Sequence, residues 1–299
     1  MRIVTVYPHG LTMGTPNMAG NKTPSVRGSV QGWSQSATRR NIAFLRSADE
    51  QQLNVSTDGE LLVAISLTLT VRKCPATSDE WHKLRRAYLK RLQRMGLVRC
   101  HWVTEWQRRG VPHLHGAFWF PMPADKNPDE LIGQCVIHWL SLTWDAYGAR
   151  PQAQHYNVIF DAIGWFKYLA KHASRGVSHY QRSPDSIPDG WKNKTGRVWG
   201  HTGEWPLVES EKIQLTDPEF FRYRRIVRSW RKADARASNN RFRIKTARTM
   251  LKDNHAERSK LRGVSEWIPS SAAHMILDVT RALTEPQNTN NNQSAPSPD

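Results

Sequence analysis

Apolar and polar positions divide the middle of the chain into a short series of elements. In residues 61–72, LLVAISLTLTVR, Leu67 and Leu69 alternate with Thr68 and Thr70 after a more apolar start. That period of two predicts a strand. Residues 101–120, HWVTEWQRRGVPHLHGAFWF, hold two runs rich in Trp, Val, Thr and Phe around Arg108-Arg109-Gly110, which predicts a β-hairpin. Pro112, inside the second run, marks an edge strand or a strand start. A capping box at Thr77-Ser78-Asp79-Glu80 opens a helix to about Met95, with Trp81, Leu84, Leu92 and Met95 near one stripe. Asn127-Pro128-Asp129-Glu130 starts another, with Pro128 at N1, Gly148 as its stop, and Leu131, Cys135, Trp139 and Leu142 as its core stripe. Residues 153–160 read as a short strand, Asp161 caps a helix to about Ser174, and residues 195–201 read as a last strand. The order β, α, β-hairpin, α, β, α, β predicts an α+β domain with a central, mostly antiparallel sheet flanked by helices.

The flanks read differently. Residues 1–40 are polar, so a mostly flexible N-terminal segment is expected over 1–56, with a short helix at Ser36–Leu53. The sheet domain then occupies 57–210. A second capping box, Thr216-Asp217-Pro218-Glu219, opens a basic helical extension over 211–284. From Arg222 to Arg262 there are fifteen Lys or Arg against three Asp or Glu. Phe221, Tyr223, Ile226, Val227, Trp230, Phe242, Ile244 and Leu251 are its candidate anchors. Arg222, Arg224, Arg225, Arg228, Arg231, Lys232, Arg241, Arg243 and Lys245 are candidate contacts to a phosphate backbone. Residues 285–299 read as a disordered tail.

Charge changes the picture. The chain has 43 Lys plus Arg against 26 Asp plus Glu, a formal net charge of +17, which fits a nucleic-acid partner. Helix 77–95 adds to this a basic face of Lys83, Arg85, Arg86, Lys90, Arg91 and Arg94, either solvated or on DNA. Cys74, Cys100 and Cys135 are odd in number and widely spaced, which argues against a disulfide framework or a zinc finger. No secretory h-region opens the chain and no run of about 18 apolar residues occurs, so no membrane partner and a cytoplasmic location are expected.

Candidate chemistry gathers in the hairpin. With Arg108-Arg109-Gly110 as the loop, Gln107 pairs with Val111 and Glu105 lies opposite His113. His113 and His115 are two apart and share a sheet face, and Glu105 shares it too. Two imidazoles and a carboxylate there suit one divalent cation. On the helix from Asp161, Ile163, Phe166, Leu169, Ala170 and Ala173 form the apolar stripe, while Tyr168, Lys171 and His172 lie on the other face. A phenol attacks a phosphodiester well only where nearby charge favours phenolate. Lys171 can provide that charge or hold the phosphate under attack.

These residues resemble the HUH endonuclease superfamily, specifically rolling-circle replication initiator (Rep) proteins of plasmids and filamentous phages. SLTLT at 66–70 is similar to their first motif, PHLHG at 112–116 to the His-hydrophobe-His motif, and YLAK at 168–171 to the Tyr-x-x-Lys motif, in the Rep order. The resemblance covers roughly residues 30–205. It implies an RRM-like or ferredoxin-like sheet topology, His113, His115 and Glu105 as ligands of Mg²⁺ or Mn²⁺, Tyr168 as nucleophile and Lys171 as its helper. It further implies origin DNA, single-stranded or hairpin, as partner in a bacterial host cell, with nicking through a 5′-phosphotyrosine. No G-x-x-x-x-G-K-[ST] loop occurs, so a host helicase and DNA polymerase would have to serve it. Two-tyrosine initiators have a second tyrosine where this chain has His172. An HUH-type transposase and a non-catalytic DNA-binding replication regulator are the other readings.

Overall fold

The computed structural model describes residues 2–14, 31–122, 127–174, 180–252 and 265–284, with every side chain in them except those of residues 35, 171–174, 231, 243, 246 and 249–252. The tail expected over 285–299 lies outside the described residues. The chain divides into two units: Asn21–Glu209, and Met1–Gly20 together with Ser210–Asp299.

The larger unit is built on β3 (Leu62–Thr70), α2 (Ser78–Arg94), β4 (Arg99–Trp106), β5 (Pro112–Pro121), α3 (Pro128–Tyr147) and β6 (His155–Val158), preceded by α1 (Gln35–Arg46) and followed by α4 (Ala162–Ser174) and β7 (Trp199–Gly203). The sheet order is β6-β3-β5-β4-β7, with every pairing antiparallel. From β3 to β6 this is the ferredoxin-like β-α-β-β-α-β arrangement, extended by β7 at one edge. The α+β expectation holds, with its sheet wholly antiparallel.

Local chemistry sets these boundaries. The Thr77 side chain accepts from the Glu80 N–H at the start of α2. Asn127 caps α3 with Pro128 at N1, and Gly148 ends it at φ 64°, where a side chain would be strained. Pro112 opens β5, a central strand, so the strand-start reading holds and the edge reading does not. At the strand's first residue the missing N–H costs no interior ladder bond.

One sheet face packs against α2 and α3. Its core joins Ile65, Leu67, Leu69, Leu114 and Phe118 to Trp81, Tyr88, Leu92, Cys135 and Trp139. Trp81 meets Trp139 edge-on, with ring centres 5.9 Å apart, and Trp106 meets Trp191 in the same way at 5.3 Å. Such pairs add about 0.5–1.5 kcal/mol each to the area they bury. Of the thirteen tryptophans, seven are buried, so most serve as core and not as surface stacking platforms. Cys100 and Cys135 are buried and Cys74 is half-buried; burial pushes the thiols of Cys74 and Cys100 up to about 11. Arg85 departs from the exposed basic face expected for α2. It is buried, lies 3.5 Å from the centre of the Trp102 ring and donates to the Arg197 carbonyl.

The smaller unit corrects the reading of both chain ends. Residues expected to be flexible form a hairpin, β1 (Arg2–Tyr7) with β2 (Gly10–Gly14). It completes a four-stranded sheet, β8-β1-β2-β9, with β8 (Glu211–Leu215) and β9 (Ser265–Glu266). The extension is therefore not purely helical. α5 (Asp217–Ala237) starts at the expected capping box, breaks near Asn239 at φ 48°, and is followed by α6 (Arg241–Lys252). α7 (Ser270–Ala282) is the last helix described. Phe220, Tyr223 and Val227 of α5 join Val4, Val6, Leu11, Met13, Ile276 and Leu277 in one core. Phe221 and Phe242, expected as anchors, are exposed, and the side chain of Leu251 lies outside the described residues. The N-terminal hairpin escaped a reading by composition because residues 1–40 as a whole are polar; β1 and β2 pair locally, while the core and the β8 strand they join lie more than 200 residues away.

Candidate metal centre

The hairpin turn fixes the register. Gln107 donates to the Val111 carbonyl at 2.9 Å, Gly110 donates back to Gln107 at 2.9 Å, and Gly110 takes φ 72°. From there the ladder places Glu105 opposite His113 and Val103 opposite His115, as the sequence predicts. On the other side of β5, Thr70 lies opposite His113 and Thr68 opposite His115. Directly opposed residues share a face, so Thr68, Thr70, Glu105, His113 and His115 all project together. That is the face away from Leu114 and Phe118 of the main core.

Glu105, His113 and His115 are buried, and one donor atom from each lies within 4.8 Å of the others. The two imidazole Nε2 atoms are 2.9 Å apart, and Glu105 Oε2 is 3.6 Å from His115 Nε2. Two ligands bound at about 2.1 Å to one ion stand roughly 3.0–3.4 Å apart, so this spacing fits a single divalent cation. Thr68 Oγ1 lies 2.8 Å from His115 Nδ1. If the Nδ1–H donates to it, the Nε2 lone pair is left facing the cluster. Glu105 Oε2 is buried and receives no hydrogen bond among the described residues. A buried carboxylate oxygen without a donor is costly, and a cation satisfies it.

The other oxygen of Glu105 is satisfied by a residue that sequence reasoning missed. Arg182 Nε and Nη2 both reach Oε1, at 2.7 and 2.6 Å, and both side chains are about 1% exposed. Burial holds the Arg182 pKa below its ordinary value, and the Glu105 charge opposes that shift. Among 43 basic residues nothing in the local pattern singles out Arg182; only its position against β4 does.

Tyr168 comes from α4. Asp161 caps this helix, accepting from the Gly164 N–H at 2.7 Å. Ile163, Phe166, Leu169 and Ala170 are buried, and Tyr168, on the opposite side, is 49% exposed. Its ring stacks on Trp165, with centres 5.4 Å apart and planes 26° apart. Tyr168 and His115 line the same open cleft of about 700 Å³, with Thr68, His155, Tyr156 and Asn157. Thus three candidate ligands meet, and one of them shares a cleft with the candidate nucleophile. Lys171 and His172 follow on α4, and their side chains lie outside the described residues.

The candidate phosphate contacts belong to the smaller unit. Arg225, Arg241 and Lys245 are exposed, while Arg222, Arg224, Arg228 and Lys232 are half-buried. Arg222 donates to Thr284 Oγ1 at 3.2 Å. Arg231 and Arg243 lie on α5 and α6, with side chains outside the described residues. Among the described residues, no helix is long and apolar enough to cross a membrane.

Comparison with known proteins gives one consistent result. The family model for replication-associated protein ORF2/gene II protein matches residues 64–180, the span from β3 past α4. The chain is 50% identical over 279 residues to the replication-associated gene II protein of Pseudomonas phage Pf3, across 93% of this chain and 96% of that protein. It is 46% identical over 275 residues to a Xylella fastidiosa protein (strain 9a5c) whose name assigns it provisionally to replication, across 90% and 93% of the two chains. A counterpart from strain Temecula1 is 46% identical over 273 residues, across 89% and 99%. No solved structure matches the chain.

Proposed function

The chain belongs to the replication-associated protein ORF2/gene II protein family, and from that premise we propose that it initiates rolling-circle DNA replication. In this reading it is a metal-dependent, origin-specific single-strand nickase and strand transferase. One observation carries the reading: Tyr168 and His115 line one cleft, and His115 clusters there with Glu105 and His113.

Tyr168 attacks the phosphorus of one phosphodiester in the origin DNA. The Tyr Oη–H proton is released as the Oη–P bond forms, the P–O3′ bond breaks, and the leaving 3′ oxygen takes up a proton, so the step is neutral in protons overall. The 5′ end remains esterified to Tyr168. Because a phenolate leaves more readily than an alkoxide, a later 3′-OH can reverse the step without ATP. Lys171, three residues on, either favours the phenolate or holds the phosphate. A divalent ion, Mg²⁺ or Mn²⁺, held by Glu105, His113 and His115 would polarise a non-bridging phosphate oxygen and stabilise charge in the transition state. The imidazoles favour Mn²⁺, and cellular abundance favours Mg²⁺. A host helicase opens the duplex and a host polymerase extends the 3′-OH, since the sequence contains no nucleotide-binding P-loop of its own.

The test is a denaturing-gel assay for protein covalently joined to single-stranded DNA from the replicon encoding the chain, with Mn²⁺ present. Tyr168→Phe is expected to abolish the adduct while leaving DNA affinity within about threefold, because it removes one hydroxyl from an exposed ring. An adduct that survives this substitution assigns the chemistry to another residue.

A further inference from the structure

Arg182 lies on neither the ligand hairpin nor α4, yet it touches both. Its Nε and Nη2 converge on Glu105 Oε1 at 2.7 and 2.6 Å. Nη2 also donates, at 3.3 Å, to the carbonyl of Leu169, the residue that follows Tyr168 on α4. The guanidinium carbon lies 3.9 Å from the centre of the Trp33 ring. Trp33 is itself anchored, its indole N–H donating at 2.9 Å to the carbonyl of Thr104, next to Glu105 on β4. One planar group is thus clamped between the strand carrying the carboxylate and the helix carrying the phenol.

We propose that Arg182 is a positioning residue for the metal centre, one that makes Glu105 a one-oxygen ligand and ties it to the helix of Tyr168. This rests on the function proposed above. With two donors on Oε1, the carboxylate cannot turn that oxygen towards the imidazoles, and Oε2 alone is presented to them. The Leu169 contact extends the constraint to α4. A purely structural role is the competing account, since buried Arg–Glu pairs occur without function and give little net stability. The geometry separates the two. A lysine keeps the charge but ends one bond short of Nη2 and has no planar fork, so it replaces the two contacts on Oε1 by one at best and falls short of the Leu169 carbonyl.

The experiment measures Mn²⁺ binding to the full-length chain without DNA, by titration calorimetry or by the electron-spin signal of free Mn²⁺. The variants are Arg182→Lys, Arg182→Met, Glu105→Gln and the double variant Glu105→Gln with Arg182→Met. Both single Arg182 variants are expected to weaken Mn²⁺ about tenfold or more, the usual range for loss of an outer partner. In the Glu105→Gln background, Arg182→Met should have no further effect, because its action passes through Glu105. At saturating Mn²⁺ and DNA, Arg182→Lys should still slow adduct formation about tenfold, with DNA affinity unchanged. Dissociation constants and rates within twofold of the parent chain for Arg182→Lys would overturn the proposal. So would an Arg182→Met effect of equal size in both backgrounds. If Arg182→Met fails to fold, the Arg182→Lys measurements decide alone. Should the parent chain form no adduct, the nickase reading fails, while the Mn²⁺ affinities still judge Arg182.

Discussion

The two units differ in that the larger one buries part of its positive charge, while every described basic side chain of the smaller one is exposed or half-buried. In the larger unit Arg46, Arg85, Arg99 and Arg182 are buried. Arg99 donates to the carbonyls of Gln52, Leu53 and Val55, and Arg182 to Glu105 and Leu169. In the smaller unit Arg225, Arg236, Arg241, Lys245 and Arg248 stand exposed along α5 and α6. Both sets enter the same net charge of +17. Only the exposed set can release counterions from a nucleic-acid backbone. The buried set acts at short range, where geometry and desolvation decide, and its removal leaves unpaired groups inside the protein. Net charge therefore points to a partner and does not locate the surface that meets it.

That contrast can be tested by perturbing each unit in turn. The largest effect is expected at the buried candidate ligands. His113→Ala with His115→Ala should lower adduct formation by about three orders of magnitude or more, roughly 4 kcal/mol of barrier, at any Mn²⁺ concentration, while DNA still binds. Adduct formation near the parent rate would remove the hairpin from the chemistry.

Acid comes next. Burial, together with the charges of His201 and Arg182, pushes His101 down to about 3. Its unfolded value is near 6.5, so between these limits the unfolded chain binds the extra proton. The stability it contributes is complete above about pH 6.5 and falls as pH drops towards 3, by about 2–3 kcal/mol at pH 4.5. Urea unfolding across this range should show the slope, and His101→Gln should flatten it. In the smaller unit the sign reverses. Glu211 raises the pKa of His274 through a hydrogen bond, so that contribution is complete below about 6.5 and lost above the folded value.

Replacing Arg225, Arg236, Arg241, Lys245 and Arg248 together by glutamine should weaken single-stranded DNA binding about 10- to 100-fold at 0.15 M salt. The slope of log affinity against log salt should become shallower by about 0.7 for each phosphate no longer neutralised. An unchanged slope, read by fluorescence anisotropy over a salt series, would move the DNA footprint off these helices. The smallest effect is expected from Tyr223→Phe. Its buried hydroxyl donates to the Ala273 carbonyl at 3.0 Å, and removing it should cost about 1 kcal/mol in thermal or urea unfolding.

Much of the larger unit is legible in the chain because its signals are local. The Asn127 cap, Pro128 and Gly148 bound α3 to the residue, and the Gln107–Val111 turn sets which residues oppose which across the hairpin. A period of two in the strands and of 3.6 in α4 then separates Glu105, His113, His115 and Tyr168 from the core. Arg182 and the pairing of β1 with β8 were not legible, since their partners lie 77 and more than 200 residues away. The β1–β2 hairpin itself carries a local signal, Ile3, Val4, Val6 and Tyr7 before Pro8-His9-Gly10 and Leu11 and Met13 after it, which the polar composition of residues 1–40 taken as a whole conceals.

In the larger unit the sequence by itself determined the order of the elements, the register of the hairpin, and which residues could bind a cation or attack a phosphate. These follow from backbone geometry over one or two turns. Tertiary structure alone decided that His115 and Tyr168 line one cleft, that Arg182 holds one oxygen of Glu105 while the other receives no hydrogen bond among the described residues, and that the first and last parts of the chain share a core. Those facts rest on contacts between distant segments, which exist only once folding has brought the segments together.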